Sequence, residues 1–149
     1  MFDGLMWCGK LSSTGMNPDS CPAWDECDHN PISSFWKKAS ATFAKSSCGI
    51  VKVMLNGSAD GGVARKESIL RTVEIPSMNQ NAVSEIQFWI MDNVNGPDKN
   101  SCNTSSVLEL KQYIEEHKLA FSCVDNYTPA RFLQCMENPL DPNCNICKL

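Results

Sequence analysis

The chain has 149 residues, 42% of them hydrophobic and 20% charged, enough for one globular domain with a real core. A net charge of -4 and an isoelectric point near 5.1 argue against a nucleic-acid surface, because counterion release needs clustered Lys and Arg. There is no internal repeat and no low-complexity run.

Residues 1–32 are rich in Gly, Pro, Ser, Asn and Asp without a sustained period, which predicts a stapled loop. Cys8 and Cys21 flank a turn-rich span, where a local bridge would contribute about 3 kcal/mol in the loop-entropy picture. Over residues 34–47, Phe35, Ala39 and Phe43 recur at helical spacing behind Ser33 or Ser34 as N-cap, so a helix is expected. Trp36 and Ser40 share a neighbouring face of it. Gly49 ends this helix, and the apolar run over residues 50–55 predicts a strand covered on both faces, as in parallel sheets. The loop through Asn56-Gly57-Ser58 and Asp60-Gly61-Gly62 then lies at a carboxyl strand end, where α/β sheets bind ligands.

Residues 72–76, Thr-Val-Glu-Ile-Pro, predict a short strand that carries Glu74 and is closed by Pro76. A short helix over residues 79–83 and a strand over 85–91, with Phe88, Trp89 and Ile90 in the core, are expected next. Ser105 or Ser106 starts a helix on which Val107, Leu110 and Ile114 keep helical spacing, and its last turn, with His117, reads as solvated surface. Residues 119–124 predict a further strand. Thr128 as N-cap and Pro129 in the first turn open a last helix that runs to about Met136. The alternation predicts a single α/β domain over residues 1–149, with a small, mostly parallel sheet of about four strands flanked by helices and stapled by disulfides.

Nine cysteines point to a disulfide framework made in an oxidising compartment. Only Cys144 and Cys147 have metal-ligand spacing, and they stand alone, so no metal site is expected. The economical local pairs are Cys102–Cys123 and Cys135–Cys144, and an odd count leaves at least one thiol without an internal partner. Sequons at Asn56, Asn103 and Asn126 agree with that compartment, the last weakened by Pro129. No apolar run reaches about 10 residues, too short for a signal peptide or a membrane span, so the natural first residues are expected to lie upstream of Met1.

Dinucleotide, phosphate-loop, zinc-protease and serine-hydrolase motifs are absent. What remains is Trp36, Ser40 and Glu74. Spacing alone would place Trp36 in the core stripe and turn a lone strand glutamate to solvent. The same residue types also suit cleavage of an N-glycosidic bond whose leaving group is a cationic heteroaromatic base. That task needs a flat aromatic face, a carboxylate under the developing oxocarbenium ion and polar donors, but no general acid.

Longer words decide between the two. LMWCG at residues 5–9, SCPAW at 20–24, NPISSFWKKAS at 30–40, FAKSSCGIVKVMLNGS at 43–58, VEIP at 73–76, FSCVDNYTP at 121–129 and FLQCMENP at 132–139 span nearly the whole chain. With them the chain resembles the ADP-ribosyl cyclase family, the mammalian surface NAD glycohydrolases and molluscan cyclases, and corresponds to the C-terminal part of that domain. The resemblance implies Glu74 as the catalytic carboxylate, Trp36 as the nicotinamide-stacking ring, Ser40 as a substrate contact and Asp3 as an acidic residue near the pocket. It also implies the pairs Cys8–Cys21, Cys102–Cys123 and Cys135–Cys144, NAD+ as substrate with no cofactor, and an extracellular location, secreted or at the cell surface. Membrane anchoring through an upstream segment and homodimer formation stay open. Family members carry an upstream helical half, which holds a second stacking tryptophan and the partners of Cys27 and Cys48. These two are expected to be unpaired here, and Cys147 has no counterpart. Arg71 stands where the family has glycine, where it either blocks the phosphates or donates to them. The second reading is a binding module that has lost activity.

Overall fold

The computed structural model describes residues 26, 27, 30–137, 139–142 and 144. Most of the expected stapled loop, with Asp3 and the Cys8–Cys21 bridge, lies outside them.

The first helix, α1 (Pro31–Ser46), starts earlier than the Ser33 or Ser34 cap expected from sequence. Asn30 is the cap: its Oδ1 accepts the Ser33 amide at 2.8 Å, and Pro31, which has no amide to satisfy, fits the first turn. Ser33 and Ser34 are thereby buried in the first turn instead of preceding it. β1 (Gly49–Asn56) follows, entered through a left-handed Gly49 at φ 65°.

The expected strand over residues 72–76 is helical. Residues Leu70–Glu74 form one wide π turn, in which the Ile75 amide bonds to the Leu70 carbonyl five residues back, and α2 (Ile75–Ser77) continues it. Ser68 starts the coil by accepting the Thr72 amide on its carbonyl at 2.9 Å and the Arg71 amide on its hydroxyl at 3.3 Å. Ile75 is buried in the core, and burial of that side chain outweighs the β propensity of Val73 and Ile75. Pro76 sits in a first helical turn, which reads as well from sequence as a strand terminus does. The expected helix over 79–83 is instead a turn: the Asn79 carbonyl accepts both the Ala82 and Val83 amides, and its side chain accepts the Asn81 amide.

β2 (Val83–Met91), α3 (Ser105–Glu116), β3 (Ala120–Asp125) and α4 (Thr128–Met136) complete the order. The sheet has three strands, not about four, in the order β1-β2-β3 and parallel throughout; the missing strand is the one that became the π turn. Register aligns Val53 with Phe88 and Phe88 with Cys123. On that face Val51, Val53, Leu55, Ile86, Phe88, Ile90, Phe121 and Cys123 join Ala44 of α1, Ile75 of α2 and Val107, Leu110 and Ile114 of α3 in one core. Among the described residues β1 is therefore covered on one face only: Ile50 and Met54, on the other, are 53% and 55% exposed. Trp89 likewise points away from the core and stacks on Tyr127 at 4.3 Å.

Cys102–Cys123 and Cys135–Cys144 are bonded as expected. Cys48 is free and exposed. Cys27, expected unpaired, is in a disulfide whose partner lies outside the described residues. His117 is half-buried, not surface alone; its ring lies 4.4 Å from Tyr113, and its Nδ1 is 2.9 Å from the Tyr113 carbonyl oxygen. No helix among the described residues is long and apolar enough to cross a membrane.

Candidate functional site

Helix α1, which carries Trp36 and Ser40, packs against the π turn that carries Glu74 and against α2. The four-residue spacing of Trp36 and Ser40 puts them on one side of α1. Trp36 is 53% exposed, and among the described residues its ring meets Phe35 edge-on at 5.5 Å. Such exposure of a tryptophan wastes apolar area unless something flat covers it. Ser40 and Glu74 are half-buried, and neither the Ser40 hydroxyl nor the Glu74 carboxylate makes a hydrogen bond or ion pair among the described residues. A half-exposed indole, a free hydroxyl and a free carboxylate on contiguous elements can together hold a cationic ring and stabilise positive charge beside it.

A π turn takes one residue more than an α turn, which shifts side chains around the axis relative to a regular helix, and such turns recur at functional sites. Arg71, three residues before Glu74, leaves in another direction: its guanidinium lies 4.6 Å over the ring of Tyr113 on α3. Nη1 of Arg71 is buried with no acceptor among the described residues. An unpaired buried guanidinium N–H is costly until an acceptor arrives. Tyr113 is the residue that sequence reasoning missed. Its place at helical spacing between Leu110 and Ile114 reads only as the flank of a core stripe.

The sequons differ in setting. Asn56, at the end of β1, is exposed and its Oδ1 accepts the Ser58 amide at 2.9 Å. Asn103 is exposed in the turn before α3. Asn126 ties the ends of β2 and β3 together: its Oδ1 accepts the Asp92 amide at 3.0 Å and its Nδ2 donates to the Asp92 carboxylate at 2.5 Å. Arg131 of α4 closes this network through the Asp92 carbonyl at 2.8 Å. No group of three or more His, Cys, Asp and Glu side chains is placed to hold a metal among the described residues.

Cavity volume points elsewhere. A cavity of about 570 Å³ lies between the end of β2 and α4 and is lined by Asn93, Asn95, Gln134 and Asp141 among others, with none of Trp36, Ser40 or Glu74. We place the site by side-chain chemistry, since an open wall of the kind formed by α1 and the π turn encloses no volume by itself.

Comparison with known proteins gives the relatives of the chain as a whole. The chain is 46% identical over 145 residues to ADP-ribosyl cyclase/cyclic ADP-ribose hydrolase 1 of Mus musculus, covering 97% of this chain and 47% of that one. Aplysia cyclase, solved in complex with substrate NGD and product cGDPR, superposes with a TM-score of 0.79 at 29% identity, covering 96% of this chain and 56% of that one. Porcine CD38, solved with a covalent intermediate, ribo-F-ribose-5'-phosphate, gives a TM-score of 0.69 at 34% identity over 84% of this chain and 54% of its own. The chain thus spans about half the length of the relatives it matches. The family model for ADP-ribosyl cyclase matches residues 1–144, and the chain belongs to the ADP-ribosyl cyclase family.

Proposed function

We propose that the chain contributes one wall of an NAD+-cleaving site, in which the nicotinamide–ribose bond breaks to give nicotinamide and either ADP-ribose or cyclic ADP-ribose. Trp36 stacks on the pyridinium ring of the substrate. As the glycosidic bond breaks, its electron pair passes to the ring nitrogen, and nicotinamide leaves neutral without a proton donor. Glu74 stabilises the positive charge left on the ribose carbon, as ion pair or ester, until water or an internal nucleophile takes it. Ser40 holds a ribose or phosphate oxygen, and Arg71 offers its unpaired Nη1 to a phosphate. Asp3, which the family resemblance implies near the pocket, lies outside the described residues. No cofactor, metal or nucleic acid enters the scheme.

The observation that carries the reading is the contact of α1 with the π turn, which leaves Trp36 uncovered and the Glu74 carboxylate unengaged among the described residues. The placement we infer is extracellular, secreted or at the cell surface, supported by the Cys102–Cys123 and Cys135–Cys144 bridges. Homodimer formation, and membrane attachment through a segment outside these residues, are proposals on the same footing.

The test is nicotinamide release from NAD+, measured on this chain and on a chimera joining it to the part of the Mus musculus relative that it does not cover. The chimera is expected to turn over NAD+, and Glu74→Gln to lower kcat by roughly 10²–10³, the usual cost of losing a charge-stabilising group. Trp36→Ala is expected to raise KM as well. Turnover that survives Glu74→Gln within tenfold would overturn the assignment of the carboxylate.

A further inference from the structure

The sequence holds three N-glycosylation sequons, and the fold treats their asparagines in three different ways. Asn103 lies in the turn that links the Cys102–Cys123 bridge to α3. It is exposed, and while its backbone amide donates to Ser101 Oγ at 3.3 Å, its side-chain amide bonds to nothing among the described residues. The hydroxyl residue of the same sequon, Ser105, is exposed at the first position of α3. Asn126 is the opposite case. Its amide is part of the half-buried bridge between β2 and β3, with Oδ1 accepting the Asp92 amide and an Arg131 N–H, and Nδ2 donating to the Asp92 carboxylate. Its backbone is left-handed at φ 48°, which the bridge holds in place. A sugar on that nitrogen takes one of its two hydrogens and adds bulk at a half-buried position, so glycan and bridge compete.

We propose that Asn103 is an N-glycosylation site and that Asn126 is not, the native hydrogen bonds of Asn126 acting in the same direction as the Pro129 that follows its sequon. The co-reactant is a lipid-diphosphate-linked oligosaccharide. Nδ2 of Asn103 forms the bond to the anomeric carbon, the bond from that carbon to the diphosphate oxygen breaks with its electron pair, and the amide proton leaves to solvent. Asn56 is an intermediate case, exposed but with Oδ1 committed to the Ser58 amide, and the proposal does not depend on it. The inference rests on the extracellular placement proposed above, so the experiment supplies the routing itself.

The chain is expressed behind a secretion signal in mammalian cells, and the secreted protein is treated with an amidase that removes N-glycans and leaves each formerly modified asparagine as aspartate. Peptide mass spectrometry is expected to find that conversion at Asn103 in most of the secreted chain and none at Asn126. Asn103→Gln and, independently, Ser105→Ala should each remove the same single glycan step on a gel. Secreted chain with Asn103 unconverted, or with Asn126 converted, overturns the proposal. Because the mass spectrum is read on the unsubstituted chain, a variant that fails to fold does not blur the answer. A cytosolic location of the chain in its native cell would count against the placement alone.

Discussion

Phe88 and Trp89 are neighbours on β2, yet their rings have surroundings of different kinds. Phe88 is fully buried, 5.2 Å from Phe121, among side chains from α1, α2 and α3. Trp89 is half-buried on the opposite face, stacked on Tyr127 with the Lys52 ammonium 5.3 Å from its centre, and paired across to the exposed Met54 of β1. One face of the sheet is a closed core and the other is an open platform. The contrast separates what holds this chain together from what it offers to something else, and the site wall on α1 belongs to the second kind: Trp36 is as exposed as Ile50.

The sharpest way to break the comparison is by truncation on each face. Phe88→Ala should cost about 3–5 kcal/mol in urea unfolding, the usual result for a buried aromatic ring whose cavity cannot collapse. Trp89→Ala should cost roughly 1–2 kcal/mol, the loss of a stacked pair and partial burial, and Trp36→Ala no more than about 0.5 kcal/mol. Equal losses at residues 88 and 89 would mean that the second face is a core as well.

The cysteines sharpen it next. The Cys102–Cys123 bridge ties the approach to α3 to the core face of β3, and replacing both residues with Ser should lower stability by about 3 kcal/mol. Cys48→Ser, on the open side, should change it by less than about 0.5 kcal/mol. A large loss from Cys48→Ser would show that its thiol is structural.

Two glycines test the same division through the backbone. A Cβ on Gly57 would stand 2.5 Å from the Asp92 carboxylate and 3.1 Å from Ile90, so Gly57→Ala should cost about 1–3 kcal/mol in the same unfolding measurement. A Cβ on Gly49 meets nothing within 4 Å, and there the left-handed backbone is the whole penalty, roughly 1–2 kcal/mol. Replacing Gly49 with Asn, which tolerates that backbone better, should recover part of the loss, whereas at Gly57 it should recover none.

The same division sets what could be read from sequence. The periodicity of Val107, Leu110 and Ile114 predicted α3, and the run through Phe88 predicted β2, because burial on one face leaves a period in the residues. The apolar run of β1 carries no such period, so nothing in residues 50–55 distinguishes a strand covered twice from one with Ile50 and Met54 left open. The π turn was misread for a related reason: five residues that end in Ile-Pro satisfy a strand pattern, and only the contact of Ile75 with distant core residues decides for the coil. Trp36, Ser40 and Glu74 were legible as a set only through the long shared words of the family. The cradle of Arg71 on Tyr113 was legible in no way, since it depends on packing between segments far apart in the chain.

The smallest effect lies at the surface pair of Asp60 and Lys99, in the loop after β1. Lys99 Nζ donates to Asp60 Oδ1 at 2.5 Å, and that hydrogen bond, with the ammonium charge behind it, holds the Asp60 carboxyl below the usual carboxylate range. The folded chain therefore takes up this proton less readily than the unfolded chain. By linkage the contribution is fully present above the unfolded value, near pH 4, and is lost as the pH falls through the lower folded value. Since the Asp60 side chain is 91% exposed, salt screens most of the attraction. Comparison of Asp60→Asn with the parent chain in urea should show a small deficit at neutral pH that shrinks toward zero as the solution is acidified. About 1 M salt should produce the same shrinkage at neutral pH. A deficit that grows on acidification would contradict the sign, and one that ignores salt would mean the pair acts through loop geometry, with Asp60 belonging to the closed side of the molecule.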